Sequence, residues 1–432
     1  MKRRTPRGSL DIAAPSTHTT ARELYLLPMN IHVLGLGAVG TLVAHFLRSS
    51  LPRETHRITL IHRTATQSAS ALQQGGVLTA ERNGVRSTSQ GFLFEHSSTH
   101  SNDRPRNRNR QEEHEYEPQL PISSLFVATK AHNVVPAMRD LLPRLNPHCT
   151  IVLLNNGMGV YEKLVQEVFQ NPLSRPKFVL GINTHGSYLR EPMNVIHAGQ
   201  GSLDYAVVPE EKHNIDLEAS FSRGEPPFQG SIADIPHEKH PEFTSLYHTM
   251  AALNELHSGE AAANWVDMHT LQGNMMLKLV ANAVINPLSA LLNCRNGDLF
   301  RTDASKRILS RVCQESSAVF RAQFTQDTTA RIESIARGAS ASDVQALWDD
   351  AARFPKFLEH GALEENTIRI AEATARNFSS MLVDVRRGRQ TEVDFINGYL
   401  LGLGNRHRVP MPGTAMLLNL IKMRSEIPLS HL

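Results

Sequence analysis

The sequence predicts an α/β domain followed by an all-helical domain, on three observations. Short apolar runs alternate with helical segments through the first half, the pattern of βαβ units and a parallel sheet. A glycine-rich turn follows the first of those runs directly. After about residue 260 no convincing strand appears, and long segments of helical period take over. The length of 432 residues agrees, being more than one hydrophobic core usually supports.

The elements follow in order. Residues 1–29 read as a disordered basic tail. Asn30–Leu34 is the first strand, and a helix over about 38–50 buries Ala38, Leu42, Ala44, Phe46 and Leu47. Further strands are expected at 57–62, 125–129, 150–154 and 178–182, nearly continuous apolar runs of the kind a two-sided parallel sheet requires. Two polar stretches, 95–120 and 209–242, read as insertions in this domain, the first disordered for want of apolar residues. Helices are expected at 268–292, 304–325, 343–353, 364–385 and 391–405. The division is therefore 30–250 for the nucleotide-type domain and 251–432 for the helical one.

Composition narrows the function. The net charge of +3 is no larger than that of the first thirty residues, where Lys2, Arg3, Arg4, Arg7 and Arg22 face Asp11 and Glu23. The remainder is near neutral, so neither a nucleic-acid groove nor a charged membrane face is expected. Cys149, Cys294 and Cys313 lie far apart, which gives no disulfide framework and no zinc motif and suits a reducing compartment. His96 and His100 are spaced for a metal only if helical, and their polar surroundings argue against that, so no metal is expected. No transmembrane span is expected, because the apolar stretch 275–292 contains Lys278, Asn282, Asn286 and Pro287. A cytoplasmic enzyme is the expectation; the basic, Ser- and Thr-rich tail leaves mitochondrial import as the alternative.

The first strand runs into Gly35-Leu36-Gly37-Ala38-Val39-Gly40, a dinucleotide-binding turn of the Rossmann type. Gly35 makes the tight turn, Gly37 lets backbone approach a pyrophosphate, and Gly40 lets helix and strand pack closely. The helix that follows offers unpaired N–H groups and a positive dipole to phosphate. At the end of the second strand, Leu60-Ile61-His62-Arg63-Thr64 has no acid for a ribose 2′-hydroxyl. Arg63 there can grip a 2′-phosphate with its planar donor fork, so the expected cofactor is NADPH rather than NADH.

The densest chemical signal is Leu277 through Leu288. Lys278, Asn282 and Asn286 are spaced by four and share one helical face, while Leu277, Val280, Ala281, Val284 and Ile285 fill the others. A narrow polar stripe on an apolar helix is what a buried, substrate-lined cleft needs; the other reading is the solvent face of an amphipathic helix. An ammonium at such a cleft can stabilise the oxyanion that forms when hydride attacks a ketone, and can supply the proton.

Seven blocks, taken in order, resemble the ketopantoate reductase (2-dehydropantoate 2-reductase) family: residues 35–40, Thr129-Lys130-Ala131, Asn155-Asn156-Gly157-Met158-Gly159, 278–287, Asn293-Cys294-Arg295-Asn296-Gly297, 379–384 and Thr391 through Gly398. The resemblance covers about 30–425, with the two polar stretches and 322–358 outside it. It implies NADPH-dependent reduction of 2-dehydropantoate to pantoate, on the route to pantothenate and coenzyme A. It implies Lys278 as proton donor, and Glu392 reaching both cofactor and lysine across the domain interface. Asn282, Asn286, Asn296 and Ser380 would bind substrate; Lys130 and Asn156 would contact the cofactor, with Gly186 near it. Two alternatives stay open: reduction of another small branched 2-oxo acid, or an NADP-binding sensor without chemistry. The partner is a small molecule, and the protein a monomer or homodimer.

Overall fold

The computed structural model describes residues 29–97, 121–209, 231–336 and 354–427. At its centre lies β1 (Met29–Leu34), flanked in parallel by β2 (His56–His62) and β6 (Ser124–Val127), with Ile31 opposite Ile58 on one side and Ser124 on the other. Beyond β6 come β7 (Thr150–Leu153) and β8 (Lys177–Asn183), both parallel. Then β11 (Leu203–Val207) runs antiparallel to β8, and β12 (Ala263–Trp265) closes that edge. On the other edge β5 (Leu93–His96) pairs with β2. The chain leaves β1 toward β2 and returns on the opposite side at β6, so a crevice opens beyond the carboxyl ends of β1 and β6.

Ile31, Val33, Ile58, Leu60, Phe126 and Val152 are fully buried, as strands covered on both faces require. Helix α1 (Ala38–Ser50) covers one face, with Leu42, Phe46 and Leu47 in the core; α3 (Val134–Leu141) and α4 (Val160–Glu167) contribute Val134, Met138 and Leu164 to the other. After β2 comes α2 (Ala65–Gln73), capped by the Thr64 hydroxyl, which accepts from Gln67 N.

A second sheet was not expected. Its order is β4 (Val85–Ser89), β3 (Leu78–Arg82), β10 (Asn194–Gly199), β9 (Gly186–Glu191), two hairpins joined by a parallel β3–β10 pair. The first hairpin turns at Asn83-Gly84, both with positive φ, as a right-twisted two-residue turn demands. Leu78, Ala80 and Val195 bury the sheet against the core that contains α1.

The helical domain surrounds α6 (Met268–Leu292), which matches the expected 268–292. Asp267 caps it, accepting from Thr270 N at 2.7 Å, and left-handed Asn293 ends it. Around it pack α7 (Asp303–Ala336), α8 (His360–Ala373), α9 (Ser380–Arg386), α10 (Val393–His407) and α11 (Pro412–Glu426). By length and composition α6 could cross a membrane, but most of it is buried in this domain, with Leu279, Val280, Ala283 and Val284 in the core.

Three expectations need correction. A strand does follow residue 260, because Ala263–Trp265 adds to the main sheet, so the sheet extends past the boundary expected at 250–251 and that boundary falls inside α5 (Thr244–Asn254). Glu95 and His96, assigned to the first insertion, belong to β5; residues 98–120 lie outside the described residues. Of the second polar stretch, residues 231–242 are described, with Ile235 buried in the core, and 210–230 lie outside the described residues. The helix expected over 364–385 is two, because Ser379 caps a new one, its hydroxyl accepting from Leu382 N. The helix expected at 343–353 lies outside the described residues, as does most of the basic tail.

Candidate active site

The glycine turn sits at the crevice beyond β1. Gly35 has φ +96°, and a Cβ there would come within 2.4 Å of Thr129 N; a Cβ on Gly40 would lie 2.0 Å from the Gly35 carbonyl oxygen. Neither position admits a side chain. Gly37 differs: it is the N-cap of α1, no side chain caps the helix, and a Cβ there would meet nothing within 4 Å. Tight packing behind the loop and open space in front of it, with free helix N–H groups, form a cradle that fits a dinucleotide pyrophosphate. Leu36, Ala38 and Val39 pack their side chains back against the core. Arg63 is exposed in the turn after β2, next to His62, which stacks on Phe94.

Lys278 projects from α6 toward the carboxyl ends of β7 and β8. Its ammonium donates to the Asn183 carbonyl at 2.6 Å and to Asn156 Oδ1 at 3.2 Å. It opens onto a small pocket whose walls include Asn155, Asn156 and Ile182 from the sheet side and Met275 and Asn282 from α6. Although Lys278 keeps some exposure through that mouth, crowding strips water from the ammonium and pushes its pKa down to about 8, with Glu392 opposing the fall.

A second lysine behaves oppositely. Lys130, just beyond β6, donates to Asp384 of α9 at 2.7 Å and to Glu392 at 3.2 Å. Burial disfavours its charge, but the Glu392 and Asp384 carboxylates outweigh that and hold its pKa above the ordinary lysine value. Glu392, at the N-cap of α10, also accepts from Ala131 N at 3.0 Å and from Asn156 Nδ2 at 3.5 Å. Two lysines whose environments push them apart are thereby sorted: Lys130 is a cation tying the domains, and the Lys278 ammonium holds its proton less tightly than an ordinary lysine.

Of the residues singled out in the sequence, Lys278, Asn282 and Asn156 meet at the pocket. Glu392 reaches Lys278 only through Asn156; its direct partner is Lys130. Asn286 is buried two turns along α6, Asn296 donates to the Thr374 hydroxyl at 2.9 Å, and Ser380 is exposed at the start of α9; none lines the pocket. Gly186 opens β9, its backbone against Gly199. Two participants escaped notice. Asp384 left a trace, a lone carboxylate within Met381-Leu382-Val383-Asp384-Val385; Asn183 acts through its main-chain carbonyl, which leaves none.

Two family models match the chain: ketopantoate reductase PanE/ApbA over residues 31–210 and ketopantoate reductase PanE/ApbA C terminal over residues 270–425. The chain belongs to the ketopantoate reductase family. Among curated relatives of this family member, the 2-dehydropantoate 2-reductase of Yersinia pestis is 31% identical over 300 residues, 69% of this chain and 73% of that one. A probable 2-dehydropantoate 2-reductase of Schizosaccharomyces pombe is 25% identical over 396 residues, 90% and 95% of the two chains. In fold, a D-mandelate dehydrogenase solved with NADH and anilino(oxo)acetate superposes with a TM-score of 0.61 at 16% identity, covering 92% of this chain and 98% of that one. A probable 2-dehydropantoate 2-reductase from Bacillus subtilis gives 0.54 at 21%, covering 92% and 100%. As a ketopantoate reductase family protein, the chain is an oxidoreductase acting on a CH–OH group of a small molecule with a nicotinamide dinucleotide.

Proposed function

We propose that this protein reduces 2-dehydropantoate to pantoate with NADPH, and that Lys278 delivers the proton. The observation that carries the reading is the Lys278 ammonium, held by Asn156 Oδ1 and the Asn183 carbonyl at the mouth of an interdomain pocket with its pKa near 8. At neutral pH most of it is charged, yet it can give up a proton at little cost. The dinucleotide, when bound, supplies the hydride. Lys278 stabilises the oxyanion that develops on the former keto oxygen and then transfers its proton there. Asn282, on the same face of α6, orients the acid, and Ile182 and Met275 give its branched carbon an apolar wall. Asn156 bridges the catalytic lysine to Glu392, which keeps a negative charge close enough to raise the lysine's proton affinity.

Preference for NADPH rests on Arg63, exposed where the second strand ends, and on the absence of any acid in 60–64. The test is loss of NADPH absorbance on adding 2-dehydropantoate, with 2-oxoisovalerate as comparison, since only the former carries a terminal hydroxyl. Robust oxidation with 2-dehydropantoate and a much lower kcat/KM with 2-oxoisovalerate is the expected result. Equal use of both acids would move the assignment to another branched 2-oxo acid, and no oxidation with either would overturn it.

A further inference from the structure

We propose that His185 and His197 are positioning residues: as a neutral, hydrogen-bonded pair they hold the turn whose Asn183 carbonyl grips the Lys278 ammonium. The inference rests on the reading of Lys278 as proton donor. The turn Asn183-Thr184-His185 carries the chain from β8 in the large sheet to β9 in the small one. It is tied down from outside by Thr184, whose N–H donates to Ser202 O at 2.9 Å and whose hydroxyl accepts from Ser202 N at 2.7 Å. Backbones touch here, for a Cβ on Gly201 would lie 2.4 Å from the Thr184 carbonyl carbon.

From inside, the turn is held by the His185 ring, and its partners dictate the protonation state. His185 Nε2 faces the Ala261 carbonyl at 2.8 Å; a carbonyl only accepts, so Nε2 carries the hydrogen. Gly201 N–H donates to Nδ1 at 3.1 Å, so Nδ1 holds a lone pair. His197 Nε2, 3.0 Å from the same Nδ1, must then be a donor. Both tautomers are fixed, and a second proton on His185 would confront two N–H groups. The rings pack on Phe46 of α1 with centroids 5.6 and 5.9 Å away. The ionisable groups facing the pair are His45 of α1, held between Ser87 and Ser89, Arg82 of β3, and Glu260 before β12, the last two 3.5 Å apart. Burial lowers the pKa of His45, His185 and His197; Arg82 lowers those of the pair further and Glu260 opposes, so all three stay neutral where Lys278 works.

A carbonyl facing the amine favours its charged form, so a loosened turn should lower the pKa of Lys278. The experiment reads that pKa on the full-length protein from the pH dependence of Lys278 acylation by a small reagent, quantified by peptide mass spectrometry. No substrate is needed, so the outcome stands apart from whichever acid the enzyme reduces. The expected midpoint is near 8 in the wild type, about half a unit or more lower in His197→Leu, and restored in His197→Gln, which keeps an N–H for His185; half a unit is a roughly threefold change in the proton equilibrium. Thr184→Val loosens the same turn from its exposed side and should shift the midpoint the same way even if His197→Leu fails to fold. A midpoint at the wild-type pH in the folded variants, whatever their melting temperatures, would reduce the pair to packing and overturn the inference.

Discussion

Lys278→Ala removes the donor and the oxyanion partner together, which should lower kcat by ~10² to 10⁴ while leaving NADPH binding intact. Rapid-mixing turnover with equilibrium dinucleotide binding checks both halves, and turnover within tenfold of wild type would sink the role. Because the proposed reduction needs the ammonium, kcat/KM should be flat below about pH 7 and fall as pH rises through the Lys278 pKa near 8. Glu392 raises that pKa, so Glu392→Gln should bring the fall to lower pH; a shift to higher pH would contradict the electrostatics. Arg63→Ala should raise KM for NADPH by one to two powers of ten and barely touch that for NADH, since a charge-assisted contact to phosphate contributes roughly 1.5–3 kcal/mol. A parallel rise for both cofactors would mean general damage. At this scale the lysine was legible because a cation among aliphatic residues has few benign explanations. The depressed pKa was not, since it comes from burial beneath residues of the other domain, which chain distance conceals, and is opposed by the equally distant Glu392.

Among elements, the glycine turn separates packing from binding. Gly40→Ala would drive a methyl into the Gly35 carbonyl and should lower the melting temperature of the apo protein. Gly37→Ala, with open space before it, should leave the apo protein as stable as wild type and raise KM for NADPH tenfold or more, because only the bound pyrophosphate competes for that space. Thermal denaturation without cofactor distinguishes the two. The strands that sequence reasoning found, β1, β2, β6, β7 and β8, are those buried on both faces, where apolar residues run on without a break. The small sheet escaped because β4 exposes four of its five residues and β9 is similarly wet, which dilutes any period of two. Asn83-Gly84 was its one strong local sign. With three residues, β12 is shorter than any pattern can register.

Across the whole molecule, the proposed chemistry depends on how the two domains meet, and that junction is built from a few close contacts around Lys278. The loop after β7 lies on α10: Met158 N donates to the Phe395 carbonyl at 2.9 Å, and Gly159 faces Tyr399. Lys130 bridges to Asp384 and Glu392, and α10 is held to α6 by Asn397, whose amide donates to the Ala283 carbonyl at 2.9 Å. Gly157 is the tightest point, with φ +81° and a would-be Cβ 2.3 Å from the Phe395 carbonyl oxygen. Gly157→Ala must therefore strain the loop and lift it from α10, and Asn156, one residue away, moves with it. The amide that holds both Lys278 and Glu392 then loses its place, though no residue that donates a proton or binds phosphate has changed. A displacement of about 1 Å at such a site can cost ~10²-fold, so kcat should fall by one to two powers of ten. The dinucleotide turn lies on other loops, so the dissociation constant for NADPH should stay within a few-fold of wild type. Circular dichroism should report unchanged helix content. A variant with wild-type kcat would show that the junction tolerates the shift, and one that also lost NADPH binding would show that the damage had spread through the sheet.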